Sequence, residues 1–183
     1  MKERLMHSFH KILLSTFLIL STGSTAIAQT TEFPVPPQNP KQLFYLQRPA
    51  NTNTLIYELN LQNNIINKQK PIHIYWIDYA TNGHIEELNE MQQKYAYGVK
   101  VTEINENLFE FYLVAYKKLK FLLQEGDDKL YHAYTTINDK KMIVNRIYLE
   151  VKGGSLLKPH IEYVELKGMD AITGSMIEER IQL

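Results

Sequence analysis

Short runs of apolar and aromatic residues alternate with turn residues from Leu43 to the C-terminus. The runs are rich in Tyr, Phe, Ile, Val and Thr and the turns in Asn, Asp, Gly and Pro, which is typical of β-strands with tight connections. After residue 98 the connections are too short for crossover helices, so antiparallel neighbours are expected. The predicted strands are 43–48, 55–60, 71–79, 98–104, 108–116, 119–124, 129–137, 141–151, 160–167 and 175–182.

One segment has the spacing of a helix. Ile85, Leu88, Met91 and Tyr95 recur at intervals that place them on one helical face. Gly98 follows close to where such a helix would end, and glycine is the usual residue at that position. We predict a single amphipathic helix near 85–95 that lies against the sheet.

Alternation within the strands predicts the shape of the sheet. Both faces of 108–116 are largely apolar, which favours a central strand covered on both sides. In 141–151 one face is apolar except for Asn145, with Ile143, Ile147, Leu149 and Val151, and the opposite face is expected to be partly exposed. Because an open sheet leaves unpaired edges, we predict a mainly β domain over 43–183, a single antiparallel meander that closes into a barrel-like or sandwich-like form.

The first 42 residues have a different pattern. A basic start, an apolar run over 12–20 and small residues ending in Ala26-Ile27-Ala28 are typical of a cleavable secretory signal. The run is too short for a membrane span, which needs about 20 residues. The sequence therefore predicts a signal peptide over 1–28, cleavage after Ala28, and a periplasmic or extracellular protein. The prolines of 29–42 predict an extended arm, either a spacer or a strap laid over the domain.

Composition excludes several classes of function. The chain has 20 basic and 20 acidic residues, so it lacks the excess of basic residues that is typical of nucleic-acid binders. Absence of cysteine excludes disulfides, thiol catalysis and thiolate-bound metals. The sequence has no nucleophile elbow, no phosphate-binding glycine loop and no histidine pair at metal-ligand spacing. We predict no metal and no cofactor, and the sequence leaves catalytic activity open while favouring a non-enzymatic role.

Aromatic residues with polar tips are the first candidates for a binding site. The densest aromatic stretch contains Tyr75 and Trp76, and Tyr97 follows the predicted helix. Such side chains can line a pocket for a glycan or a small molecule, although they are more often ordinary residues of cores and interfaces.

Polar residues embedded in apolar strand faces are the second candidates. Glu110 and Asn145 both occupy such positions, and a buried polar group needs a partner. Arg146 or Arg48 could pair with Glu110 as a structural ion pair, or the charges could anchor a ligand. The predicted ligand-binding residues are therefore Tyr75, Trp76, Tyr97, Glu110 and Arg146.

Several blocks of sequence together resemble a known family. They are Phe33–Pro36 with Leu43–Arg48, Asn51–Thr54 with Tyr57–Asn60, Pro71–Trp76 and Tyr95–Gly98. In this order they resemble exported bacterial proteins grouped as domain of unknown function 4833, common in the Bacteroides lineage. The resemblance implies export to a Gram-negative periplasm. It assigns no activity and therefore no catalytic residue.

Three hypotheses of function follow. The leading one is a non-enzymatic periplasmic module that binds an amphipathic small molecule or glycan. The first alternative is an envelope interaction module that recruits a protein partner through the arm and an exposed sheet edge. The second alternative is a glycan or cell-wall hydrolase, which needs two acids, or an acid and a histidine, in one cleft. We expect no nucleic-acid partner and no membrane span in the mature chain.

Overall fold

The computed structural model describes residues 33–49, 51–155 and 158–183. The predicted signal peptide over 1–28 and the start of the arm lie outside these residues. The fold is mainly β, and its large sheet curls into a half-barrel. The predicted β class is therefore confirmed, whereas closure into a complete barrel or a sandwich is not confirmed.

The described residues form thirteen strands, one α-helix and one 3-10 turn over Tyr79–Thr81. Each of the predicted strands overlaps an observed strand. The elements are β1 (Gln42–Gln47), β2 (Thr54–Leu59), β3 (Leu61–Gln62), β4 (Ile65–Ile66), β5 (Ile72–Asp78), β6 (His84–Glu87), α1 (Glu90–Tyr95), β7 (Val99–Asn105), β8 (Leu108–Leu113), β9 (Tyr116–Glu125), β10 (Tyr131–Ile137), β11 (Lys140–Ser155), β12 (Lys158–Asp170) and β13 (Met176–Gln182).

Strand β11 joins two groups of antiparallel strands. The N-terminal wing is the order β6-β5-β2-β1, and the C-terminal wing is β10-β9-β8-β7. Strand β10 pairs with the start of β11, while β12 pairs along β11 and then with β13. Strand β1 pairs in parallel with β11, from Tyr45 opposite Arg146 to Gln47 opposite Tyr148. The predicted all-antiparallel meander is therefore wrong at this junction. Only strands joined by a tight turn must be antiparallel, and β1 and β11 are far apart in the sequence.

A bulge at Asn145 changes the exposed face of β11. Val144 and Arg146 pair with adjacent residues of β12, so Asn145 is an extra residue in the longer strand. The predicted single face that joins Ile143 to Val151 through Asn145 is therefore wrong. The buried positions are Met142 and Val144 before the bulge and Ile147 and Leu149 after it.

Aromatic rings from both wings meet in the core. The ring of Phe44 in β1 stacks on Tyr57 of β2 at a centroid distance of 4.4 Å. It also lies 5.9 Å from Phe121 and 6.2 Å from Phe111, which belong to the C-terminal wing. All four side chains are almost fully buried. Each contributes roughly 1.5–3 kcal/mol of apolar burial, so this stack is a main contact between the wings.

The helix is shorter than predicted. The side chain of Asn89 accepts a bond from the backbone of Gln92 and forms a capping box, which starts α1 at Glu90. The preceding residues form β6, in which Ile85 pairs with Ile77 of β5. The prediction over 85–95 is therefore wrong for its first part, because an exposed edge-strand isoleucine happened to fit the helical spacing.

Strand β8 is buried on one face only. Phe109, Phe111 and Leu113 point into the core, while Glu110 and Tyr112 are half-exposed. The predicted burial on both sides is therefore wrong, since the outer aromatic positions are only partly covered.

The described part of the arm lies on the sheet. Residues 33–39, here called the strap, have no regular secondary structure. The backbone carbonyl of Pro34 accepts a bond from the Gln47 side chain at 2.9 Å. The Phe33 ring meets the edge of Tyr148 at a centroid distance of 5.5 Å. These contacts place the strap over the outer faces of β1 and β11.

Candidate functional site

A hollow of about 440 Å³ lies on the inner side of the half-barrel. It is bounded by the end of β1, the loop after α1, the β8–β9 turn and the tip of the β11–β12 hairpin. Its volume falls within the roughly 300–1,000 Å³ of small-molecule sites. Most of its lining is apolar, including Leu46, Leu113, Ala115, Leu149, Val151 and Ile161.

Arg48 is the one charged residue among the described residues that line this hollow. It follows β1 directly, and strand alternation places it on the same face as the buried Leu46. Its Nε atom is buried and has no hydrogen-bond partner within the described part of the chain. A buried donor without a partner costs roughly 1–3 kcal/mol, so the described chain leaves the hydrogen bonding of this guanidinium incomplete.

Two aromatic rings flank the Arg48 guanidinium. Its Cζ atom lies 5.5 Å from the ring centroid of Trp76 and 5.2 Å from that of Tyr97. The two rings themselves meet edge to face at 5.0 Å. The negative faces of aromatic rings attract a cation, and both distances are short enough for that interaction. Burial raises the pKa of Tyr97, and the neighbouring Arg48 charge opposes this rise.

Backbone contacts fix the position of Tyr97. The Tyr57 hydroxyl, inside the core, donates to the Tyr97 carbonyl at 2.8 Å. Burial raises the pKa of Tyr57 well above its usual value, which keeps this phenol neutral and donating. The Tyr97 amide donates to the Gln92 carbonyl at 2.8 Å. A Cβ atom on Gly98 would lie 1.9 Å from the Gln93 carbonyl oxygen, so this tight exit from α1 requires glycine.

The lining of the hollow includes the last residues of β11. Gly153 and Gly154 belong to it, with φ values of 89° and 87°. The strand register shifts between Val151 and Gly154, so the hairpin departs from regular pairing at this point. Glycine permits this left-handed backbone at little cost and leaves these two positions without side chains.

The structure places Tyr75 away from Trp76. Successive residues of a strand point to opposite faces, so these neighbours on β5 cannot contribute to one site. Tyr75 lies on the outer face, where its hydroxyl donates to Glu58 Oε2 at 3.1 Å. Burial, followed by the nearby Glu58 carboxylate, raises the pKa of Tyr75 to about 12.

Glu110 and Arg146 lie elsewhere again. Glu110 pairs with Lys120, with 2.8 Å between Oε1 and Nζ. The predicted pairing of Glu110 with Arg146 or Arg48 is therefore wrong. Arg146 donates from Nε to Gln47 Oε1 at 2.8 Å, and its Nη1 lies 3.8 Å from Glu165 Oε1.

Of the five predicted ligand-binding residues, the structure brings only Trp76 and Tyr97 together. Tyr97 lines the hollow, and Trp76 packs against it and against Arg48. Arg48 entered the sequence analysis only as a partner for Glu110. The missed signal was its alternation with Leu46, which puts a cation at the end of a buried strand face.

The described part of the chain has no metal-ligating cluster, and its acid–histidine pairs lie outside the hollow. No group of three or more metal-ligating side chains occurs within residues 33–49, 51–155 and 158–183. The acid–histidine pairs His73–Glu87 and His132–Asp128, both at 2.9 Å, do not line the hollow. Within the same ranges, no helix is both long and apolar enough to cross a bilayer.

Fold and hollow together define a mainly β half-barrel protein with an apolar hollow, in whose described lining Arg48 is the one charged residue. The family model "Domain of unknown function (DUF4833)" matches residues 44–180, and the chain belongs to this family. The matched range runs from β1 into β13, so it includes both wings and most of the hollow's lining. Comparison with curated proteins and with solved structures gives no match.

Proposed function

We propose that the protein is a non-enzymatic binding module that holds an amphipathic small molecule in the hollow. The single observation that supports this most strongly is an apolar hollow of about 440 Å³ with one cation at its wall. Apolar enclosure with a few placed polar groups is the usual composition of a small-molecule site.

The lining favours an amphiphile over a glycan. A sugar presents hydroxyl groups around its rings, and each one that is buried needs a hydrogen-bond partner. The described lining offers mostly aliphatic side chains, with Leu46, Leu149 and Ile161 among them. An acyl or alkyl chain gains about 0.8 kcal/mol for each methylene group that it buries, and it needs no such partners.

The same lining does not favour hydrolysis. Two-carboxylate glycoside chemistry needs a pair of acids across the bound substrate. Among the residues described, no carboxylate and no imidazole lines the hollow. The interaction-module alternative uses the arm together with an exposed sheet edge, and the described part of the arm already contacts the sheet through Pro34 and Phe33.

The site of action in this proposal is the periplasm or the cell exterior. Support comes from the sequence of residues 1–28, which has the order of a cleavable signal. N-terminal sequencing of the protein recovered from the envelope or medium of an expressing bacterium should begin at Gln29. Recovery of the uncleaved chain in the cytoplasm would contradict this placement.

Binding can be tested by blocking the hollow. Native mass spectrometry of the mature chain, residues 29–183, should show one bound molecule of lauric acid or lauryl alcohol. Ala115→Trp should remove it, because Ala115 lines the hollow and is only half-buried. Val114→Trp is the matched control, since Val114 is a half-buried neighbour outside the lining. Absence of binding to the unaltered chain, or unchanged binding by Ala115→Trp, would overturn the proposal.

A further inference from the structure

We infer that the ligand carries a carboxylate and that Arg48 binds it inside the hollow. This inference rests on the proposed function and adds the chemical class of the ligand. It requires that Arg48 is accessible from the hollow, that its charge is not already neutralised, and that its donors match the head group.

Accessibility follows from position. Arg48 and Tyr97 line the same hollow, and Trp76 lies 5.5 Å from the guanidinium. The Nε atom itself is buried, so it is closed to the hollow as well as to bulk water. A head group in the hollow would therefore meet the terminal Nη1 and Nη2 groups of Arg48.

The charge of Arg48 is balanced by no acid among the described residues. Every other arginine in that part of the chain has a carboxylate near it: Arg146 and Arg180 both contact Glu165. The rings of Trp76 and Tyr97 attract the cation with their faces but do not neutralise it. A charge held in this way attracts an anion more strongly than a cation that is already paired.

The donors favour a carboxylate over a phosphate. A guanidinium presents parallel N–H groups that bind both oxygens of one carboxylate. A phosphate monoester carries close to two charges at neutral pH and offers three acceptor oxygens. With one cation in the described lining, the hollow matches a head group of one charge. The ligand class is therefore a carboxylic acid with an apolar chain.

Matched ligands test this inference. Laurate, lauryl alcohol and lauryl phosphate share one alkyl chain and differ in the head group. Their affinities are measured by calorimetry at about pH 8, where the carboxylic acid is ionised. The unaltered mature chain should bind laurate at least about tenfold more tightly than the alcohol, as a desolvated charge-assisted bond would give. Laurate should also bind more tightly than the phosphate.

Variants assign the preference to Arg48. Arg48→Gln should bind laurate and the alcohol with equal affinity, and Arg48→Lys should keep part of the preference. Lys120→Gln is the control for loss of one positive charge, because Lys120 pairs with Glu110 outside the hollow. Its preference for laurate should remain unchanged. Thermal melting monitored by circular dichroism establishes that each variant is folded.

The outcomes separate the two claims. Equal binding of laurate and alcohol by the unaltered chain would overturn the carboxylate inference and leave the proposed function standing. Tighter binding of the phosphate, or an intact laurate preference in Arg48→Gln, would also overturn the inference. Failure of all three ligands to bind would remove the proposed function itself. If Arg48→Gln does not fold, the affinities of the unaltered chain for the three ligands still decide whether a carboxylate is preferred.

Discussion

Two arginines, one directly after β1 and one in β11, lie in similar aromatic surroundings. The Cζ atom of Arg146 lies 6.0 Å from the ring centroid of Phe33 and 5.4 Å from that of Tyr148. The corresponding distances for Arg48 are 5.5 Å to Trp76 and 5.2 Å to Tyr97. Judged by ring contacts alone, the two residues would be assigned the same role.

Their hydrogen-bond acceptors separate them. Arg146 donates to Gln47 and lies beside Glu165, and both of these side chains are buried. Arg48 has a buried Nε without an acceptor in the described part of the chain. Aromatic faces can hold either cation in place, but only acceptors decide whether its donors are already used. Arg146 therefore stabilises the junction of β1, β11 and β12, whereas the described chain leaves a donor of Arg48 without an acceptor, which is the basis of its proposed role.

The largest expected loss of stability comes from a change beside Tyr97, which contacts Arg48 and not Arg146. Gly98→Ala places a Cβ atom 1.9 Å from the Gln93 carbonyl oxygen, so the backbone that carries Tyr97 must shift. We expect a loss of about 3 kcal/mol in the free energy of unfolding, measured by urea denaturation. Laurate binding should fall as well.

Gly174→Ala is the control for this change. Gly174 has a φ of 69° but nothing within 4 Å of an added Cβ, so only conformational strain of roughly 1–2 kcal/mol is expected. Equal losses in the two variants would show that the contact with Gln93 is unimportant.

The second-largest expected loss of stability follows from replacing Arg146. Arg146→Met keeps much of the volume but leaves Gln47 Oε1 without its donor and removes one cation from the buried Glu165. We expect a loss of about 2 kcal/mol in unfolding free energy with no loss of laurate affinity. Arg180→Met is the control, because Arg180 also contacts Glu165 but its side chain is 51% exposed. Its loss should be below about 1 kcal/mol.

Arg48→Met should give the reverse result. Removing a buried donor without an acceptor offsets the lost attraction to the two rings. The unfolding free energy should therefore change by less than about 1 kcal/mol, while laurate affinity falls. A destabilisation as large as that of Arg146→Met would mean that Arg48 has a structural role, and the contrast between the two arginines would fail.

The smallest effect concerns Tyr75, on the opposite face of β5 from Trp76. Its pKa in the folded protein is about 12, against an ordinary value of 10.0. A raised tyrosine pKa stabilises the fold fully below about pH 10, and that contribution is lost as the pH rises towards 12. Urea denaturation across this window should show a shallower decline for Tyr75→Phe. Its laurate affinity at about pH 8 should be unchanged; a loss would place Tyr75 in the binding site after all.

Local signals in the sequence were sufficient to predict most strands. The alternation that placed Phe109, Phe111 and Leu113 on one face of β8 is observed as a buried face. Such signals depend on neighbours within a few residues. They therefore identify single strands but not which strands pair with each other. The parallel contact of β1 with β11 joins residues about a hundred positions apart, and no local pattern encodes it.

The candidate site was predictable only in part for the same reason. Trp76 and Tyr97 could be chosen because aromatic density is visible in one dimension. The bulge at Asn145 moved Arg146 out of the alternation used to place it. The importance of Arg48 depends on which acceptors are absent around it, and that is a property of the folded chain.

The most direct measurement compares the two arginines in one experiment. Nitrogen-15 NMR of the arginine Nε groups, recorded with and without laurate, reports on the surroundings of each guanidinium separately. The account predicts that the Arg48 signal shifts and that its proton exchanges more slowly with water when laurate is bound, while the Arg146 signal stays in place. An unchanged Arg48 signal under conditions in which laurate binds would contradict the account.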